Sequence, residues 1–316
     1  MSRLSYETAE TLVYDPVAAN RTATRSLLYT IGFRRIESVS SLDALNESMK
    51  RRPPDLILCE AQGAEADLCR MIQSLRQGTT GYNPFTVIIV TAWENSGTLV
   101  QSVINSGADD LLLRPFSTAV LSQRIQVHIE RRKCFVITSD YVGPDRRKES
   151  GRASNVELFQ PPNSLKMKVK DTMTSEEMAQ KLDIMLKQAR ETLNTEKLRR
   201  DGFQIGILWR LLQDSLPAST KYEADLTKLK DITRSVVRRS ADTEFEPALE
   251  YCDAVLGAIE GLELGVDRNA SMHLLGHAAL SLNQVFTPEK SSTDHLAEID
   301  STVAIIRARE EQALAS

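Results

Sequence analysis

The sequence predicts an α/β domain, five parallel strands doubly wound by helices on both faces, followed by an all-α domain. Three observations carry this. Between residues 11 and 131, short β-type runs alternate strictly with helical patterns, and that order requires parallel strands joined by crossover helices. Two of the runs, "LILC" and "VIIV", are apolar throughout, as strands covered on both faces must be. From residue 173 onward, only helical periodicity remains.

The elements follow in order. "TLVY" is read as the first strand, Ala18 to Ile31 as the first helix, "FRRIESVS" as the second strand and Leu42 to Met49 as the second helix. Next come "DLILC", Asp67 to Leu75, "FTVIIV", Gly97 to Ile104, "DLLL" and Thr118 to Ile129. In open parallel sheets, function gathers at the carboxyl ends of the strands. The sequence places a carboxylate, Glu60, at the end of the third.

Residues 133–172 hold one short β-type run, "CFVIT", among Gly143, Pro144, Gly151, Pro161 and Pro162, the punctuation of a linker. The stretch is basic, and Arg146, Arg147, Lys148 and Arg152 form a candidate anion-binding set. A solvated linker whose arginines pair with neighbouring acids is the plainer expectation. The helical domain, 173–314, opens on a capping box with Thr174 at the cap and Glu177 three residues later, a start signal for an apolar run. Further amphipathic runs cover 203–215, 222–239, 245–263, 270–285 and 293–313. In the last, Leu296, Ile299, Val303 and Ile306 alternate spacings of three and four. Bundle packing explains them; a seam between protomers, and hence a homodimer, is the sharper alternative.

Composition sets the frame. A chain of 316 residues with net charge −4 has room for two domains and is a poor general binder of nucleic acid. No signal peptide and no membrane-spanning run is evident, so a cytoplasmic location is expected. Cys59, Cys69, Cys134 and Cys252 show no CxxC spacing and are read as thiols among apolar neighbours. His273 and His277 share a helix face in "SMHLLGHAALSL", but no neighbouring acid or cysteine completes a metal set. No metal or other cofactor is expected.

"VYDPVAANR", "LILCEAQ", "IVTAW" and "LLLRPF", in this order and spacing, resemble the receiver domain of bacterial response regulators, a flavodoxin-like fold, over residues 9–132. The resemblance implies an acidic pair after the first strand, a phosphoacceptor Asp after the third, a hydroxyl after the fourth and a Lys before a Pro after the fifth. Asp15, Pro16, Glu60, Thr91 and Arg114 stand at those positions. Leu111 stands where the family often has an aromatic residue. Two of these departures bear on phosphoryl and metal chemistry. Glu carries one methylene too many for the phosphoacceptor geometry, Pro16 removes a metal-binding carboxylate, and magnesium demands near-ideal octahedral placement. Arg114 has the reach and fork to hold Glu60 as a fixed negative charge.

The expectation is a non-phosphorylatable receiver acting as a non-enzymatic signalling adaptor, with a helical protein-interaction domain. Its partners would be other signalling proteins, such as a histidine kinase or a response regulator. One alternative is a phosphorelay component that exchanges phosphoryl groups at an unconventional residue or at His273. Another is a nucleotide-responsive effector using the basic linker. In the family, the fourth helix, fifth strand and fifth helix commonly meet partners; here Arg124 is the outward contact, with Val120 and Ile125 inward. "YVGPDRRK" also resembles a segment of receiver-like proteins, without an implied role.

Overall fold

A computed structural model describes residues 4–80, 82–147, 158–170, 173–217 and 219–314. The chain divides into two compact units, Met1–Glu191 and Thr192–Ser316.

In the first unit, β1 (Glu10–Tyr14), β2 (Arg35–Val39), β3 (Leu56–Glu60), β4 (Val87–Ala92) and β5 (Asp110–Leu113) form a parallel sheet of order β2-β1-β3-β4-β5. Helices α1 (Ala18–Ile31), α2 (Leu42–Arg51), α3 (Glu65–Arg76), α4 (Gly97–Ser106) and α5 (Thr118–Arg131) make the crossovers. Side chains alternate between faces along a strand, so the apolar runs split cleanly. Leu12, Tyr14, Ile57, Cys59, Ile88 and Val90 enter one core with α2, α3 and α4. Val13, Leu56, Leu58, Val87, Ile89 and Leu112 enter the other with α1 and α5. Local signals fix the helix starts: Ser41, Ser96 and Ser117 each accept a backbone N–H of the first turn through the side chain.

The described residues of the segment expected as a linker include folded elements. β6 (Phe135–Ile137) pairs antiparallel with β7 (Val142–Pro144) and β8 (Leu158–Phe159), and α6 (Ser164–Lys170) follows. β7 lies against the end of α4. A Cβ on Gly107, whose φ is +86°, would stand 2.3 Å from the Val142 carbonyl oxygen, and one on Gly143 would stand 2.7 Å from the Gly107 Cα. Two glycines thus permit a backbone contact that any side chain would block.

Beneath this contact, at the amino-terminal edge of the main sheet, two guanidinium groups converge on one buried carboxylate. Arg76 Nη2 donates to Asp109 Oδ2 at 2.7 Å, and Arg132 Nε donates to Oδ1 at 2.9 Å. The excess positive charge is shared among carbonyl groups. Arg76 donates to those of Gly107, Pro84 and Thr86, and Arg132 to those of Phe85, Pro162 and Thr86. The Phe135 ring lies about 5 Å from both, its centroid 5.2 Å from the Arg76 guanidinium carbon and 5.0 Å from that of Arg132. Burial pushes Arg76 down to about 10, with Asp109 opposing. Burial also raises Asp109, but the two arginines outweigh it and hold the carboxyl below its ordinary range.

One helix, α7 (Ser175–Asp214), replaces the two expected around 193 and 203, and the boundary between units falls within it. The capping box is present: Glu177 N–H donates to Thr174 Oγ1 at 3.3 Å, and Thr174 N–H donates to Glu177 Oε2 at 3.0 Å. In the second unit, the rest of α7 packs with α8 (Thr220–Ser240), α9 (Ala248–Glu263), α10 (Arg268–Phe286) and α11 (Ser292–Leu314). Ile299 and Val303 of α11 cluster with Ile207 of α7. Bare Gly206 lets Ile299 approach, since a Cβ there would meet Ile299 Cδ1 at 2.5 Å. The apolar face of α11 is therefore covered inside the bundle. All four cysteines are free thiols; Cys59 and Cys252 are buried, and burial raises both thiol pKa values, that of Cys252 to about 12.

Candidate functional site

The strand register builds the site. Tyr14 pairs with Cys59 and Glu60 with Thr91, so Asp15, Glu60 and Thr91 emerge side by side at the carboxyl ends of β1, β3 and β4. Arg114 follows β5 and precedes a cis bond to Pro115. These four residues meet, whereas Pro16 is exposed at the turn into α1.

Glu60 is 1% exposed and fully engaged. Its Oε2 accepts the Thr91 hydroxyl at 2.8 Å and Arg114 Nε at 2.7 Å, while Oε1 accepts the Gln62 N–H at 3.1 Å. Arg114 does not fork both donors onto Glu60. Its Nη2 instead reaches Asp15 Oδ2 at 3.1 Å and Thr24 Oγ1 at 3.0 Å. The guanidinium is a bridge between two buried carboxylates, and its outer face lies over the Phe116 ring at 4.9 Å. Asp15 Oδ1 accepts the Val17 N–H at 2.9 Å, and Arg21 donates to the Asp15 carbonyl at 2.6 Å. Burial raises the Asp15 carboxyl above its ordinary range, against the Val17 N–H and the Arg114 charge, which lower it.

Thr24, Arg21 and Phe116 were not among the site residues expected from the sequence. Thr24 carries a usable signal: it shares the inward row of α1 with Leu28, four residues on, and a hydroxyl in an apolar row needs a partner.

Residues 11–126 match the family model described as the response regulator receiver domain. This segment is a receiver domain. Solved structures similar to the chain include three receiver proteins. A signal receiver domain of a two-component histidine kinase from Clostridium thermocellum is 17% identical, covers 39% of this chain and 98% of its own, and has a TM-score of 0.36. A chemotaxis response regulator of Vibrio cholerae is 19% identical, with coverage of 37% and 96% and a TM-score of 0.34. A response regulator receiver domain from Bermanella marisrubri is 23% identical, with coverage of 37% and 94% and a TM-score of 0.34. No curated protein matches the chain.

Receiver domains ordinarily hold magnesium at this edge, and the donor set here does not fit one. Pro16 offers no oxygen ligand from its side chain, and one oxygen each of Asp15 and Glu60 already accepts from the Arg114 guanidinium. Among the described residues, no three His, Cys, Asp or Glu side chains group to hold a metal ion.

The other expected residues stand apart. Arg124 is exposed and reaches Asp110 at 3.5 Å; Ile125 is buried, but Val120 is 40% exposed and faces outward, because it lies one turn before Arg124 on the same side of α5. Arg146 donates to the Ala108 and Asp109 carbonyls and so turns to the protein, whereas Arg147 is exposed and pairs with its neighbour Asp145 at 2.9 Å. Lys148 and Arg152 lie outside the described residues. His273 and His277 are exposed on α10. No described helix is long and apolar enough to cross a membrane.

Proposed function

We propose that the receiver domain is a non-enzymatic signalling adaptor held in one state, a pseudo-receiver that contacts its partners without a phosphorylation cycle. The observation that carries this reading is the Arg114 bridge between Asp15 and Glu60. A phosphoacceptor oxygen must be open to in-line attack on phosphorus, with a cation nearby to neutralise the transferred group. Here the inner oxygen of Glu60 already accepts two hydrogen bonds, and the neighbouring positive charge is a fixed guanidinium. The bridge supplies the charge balance that a metal and a phosphoryl group would otherwise change. Signalling proteins such as kinases or other regulators are the partners that suit a receiver, the face of α4, β5 and α5 being the contact surface. The helical unit would add a second protein contact, in a cytoplasmic setting.

The test is incubation of the full chain with a small-molecule phosphodonor and magnesium, followed by intact-mass measurement. The mass should stay unchanged. A stable phosphoryl adduct mapped to the receiver domain would overturn the reading, and one mapped to His273 would instead establish a phosphorelay.

A further inference from the structure

The amino-terminal edge of the sheet, opposite the edge that carries Asp15 and Glu60, borders a cavity of about 540 Å³ between the strands and the first turns of α7. That volume lies in the range of small-molecule sites, roughly 300–1,000 Å³. One wall is apolar, made by Met178, Leu182 and Leu186 of α7. The opposite wall is polar, and both of its carboxylates already accept donors of the protein. Glu10 accepts Arg35 at 2.8 Å and Arg52 at 3.3 Å. Asp55 Oδ2 accepts both the Glu10 N–H and Lys168 Nζ at 2.8 Å.

Not all of its donors are engaged. Asn83 Oδ1 accepts the Phe85 N–H at 3.0 Å, which turns the amide nitrogen the other way. That nitrogen and the Ser164 hydroxyl line the cavity and make no hydrogen bond among the described residues, although Asn83 is 5% and Ser164 4% exposed. Lys168 lies one turn beyond Ser164 on α6 and has two ammonium protons beyond the one directed at Asp55. Neither the Asn83 nitrogen nor the Ser164 hydroxyl is among the described side-chain atoms that are fully buried without a partner, so both are open to the cavity, where a ligand rich in acceptors can meet them. Formal charge does not select the ligand, since Glu10, Asp55 and exposed Asp183 balance Arg35, Arg52 and Lys168. The unmatched donors do.

We propose that this cavity is a second site, which binds a small amphipathic anion. Its carboxylate or phosphate head meets Lys168, Asn83 and Ser164, and its apolar body lies on Met178, Leu182 and Leu186. The ligand thereby holds the first turns of α7 to the sheet edge.

Calorimetric titration of the full chain with octanoate, octyl phosphate, octylamine and 1-octanol tests this. The two anions should bind at one site per chain, with Kd of roughly 1 mM or tighter for probes of this size, and at least tenfold tighter than the amine or the alcohol. The tighter of the two names the head group. Ala179→Trp, which fills the cavity from an exposed helix position, should abolish binding without lowering the melting temperature. If that variant is unstable, Ser164→Ala carries the test, weakening the anions at least threefold and leaving octanol unchanged. Absence of saturable binding, equal binding of octylamine, or anion binding that survives in the folded variants overturns the proposal.

Discussion

Replacing Arg114 by Met removes the one cation between two nearly inaccessible carboxylates. The guanidinium side chain is 8% exposed, those of Asp15 and Glu60 0% and 1%. Breaking a buried ion pair from one side commonly costs about 3–5 kcal/mol, because the partner is left charged and unpaired. Here two partners are left, and the Glu60 charge raises the proton affinity of Asp15. The pH dependence follows. Asp15 already has a carboxyl raised by burial, and the variant loses the Arg114 charge that opposes this. The folded state then holds a proton that the unfolded state has released, so stability falls as pH rises from the unfolded carboxyl value, about 4, through the folded one. Arg114→Met should therefore cost more at pH 8 than at pH 5. Adding Glu60→Gln removes one of the stranded charges and should recover part of the loss.

Hydrogen exchange read by mass spectrometry on peptides covering β3 and β4 measures this in the intact chain, where the second unit would confuse a global melt. The wild type, Glu60→Gln, Arg114→Met and the double variant form a cycle that isolates the coupling. A cost under about 1 kcal/mol, equal at both pH values, is what a solvated pair would give; that result would refute the buried bridge.

Three further outcomes are expected. Gly107→Ala should destabilise the first unit by at least about 2 kcal/mol, because the new Cβ meets the Val142 carbonyl at 2.3 Å on a residue with φ of +86°; unchanged hydrogen exchange in peptides covering α4 and β7 would show that β7 does not rest there. Asp109 is held below the ordinary carboxylate range by Arg132 and Arg76, so its stabilisation is complete above the unfolded carboxyl pKa, about 4, and is lost as pH falls through the lower folded value. Acid unfolding of Asp109→Asn should begin from a lower stability at pH 7 and fall less steeply; an unchanged slope would count against the assignment. Arg124→Glu should reduce capture of partner proteins by the exposed surface of α5 without lowering the melting temperature, and an unchanged pull-down would remove this face from consideration.

The sheet was legible because two-sided burial leaves an unmistakable mark: "LILC" and "VIIV" cannot sit with one face in water. The meeting of Glu60, Thr91 and Arg114 was legible for a related reason, since parallel register brings strand ends together. What escaped was side-chain reach. Nothing in "LLLRPF" says that Arg114 spans to Thr24 and Asp15 instead of forking onto Glu60. The 133–172 segment was misread for a different cause. Arg146 looks like solvated charge in the sequence, yet it donates to carbonyl groups of the core. Gly143 looks like a turn and is a close-approach position in a strand. Gly202, within α7, admits the Phe286 ring, 2.8 Å from where a Cβ would be.

The substitutions at the carboxyl edge are best understood as a set. A lone Glu at the end of β3 with a lysine after β5 would leave Asp15 without its own cation, because an ammonium is a single point of charge. Arginine has separate donors, and in this fold Nε and Nη2 reach different acids. Asp15 thus keeps a structural partner even with proline beside it, which explains why an acid buried at 0% exposure can persist there. The opposite edge uses the same chemistry in reverse, with two guanidinium groups on Asp109 and the surplus charge shared among carbonyls. That arrangement seats Phe135 and ties β6 to the sheet. One edge is thereby closed by a bridge among its own residues. The other carries a separate three-stranded sheet and a cavity, and the ligand proposed for that cavity would act there.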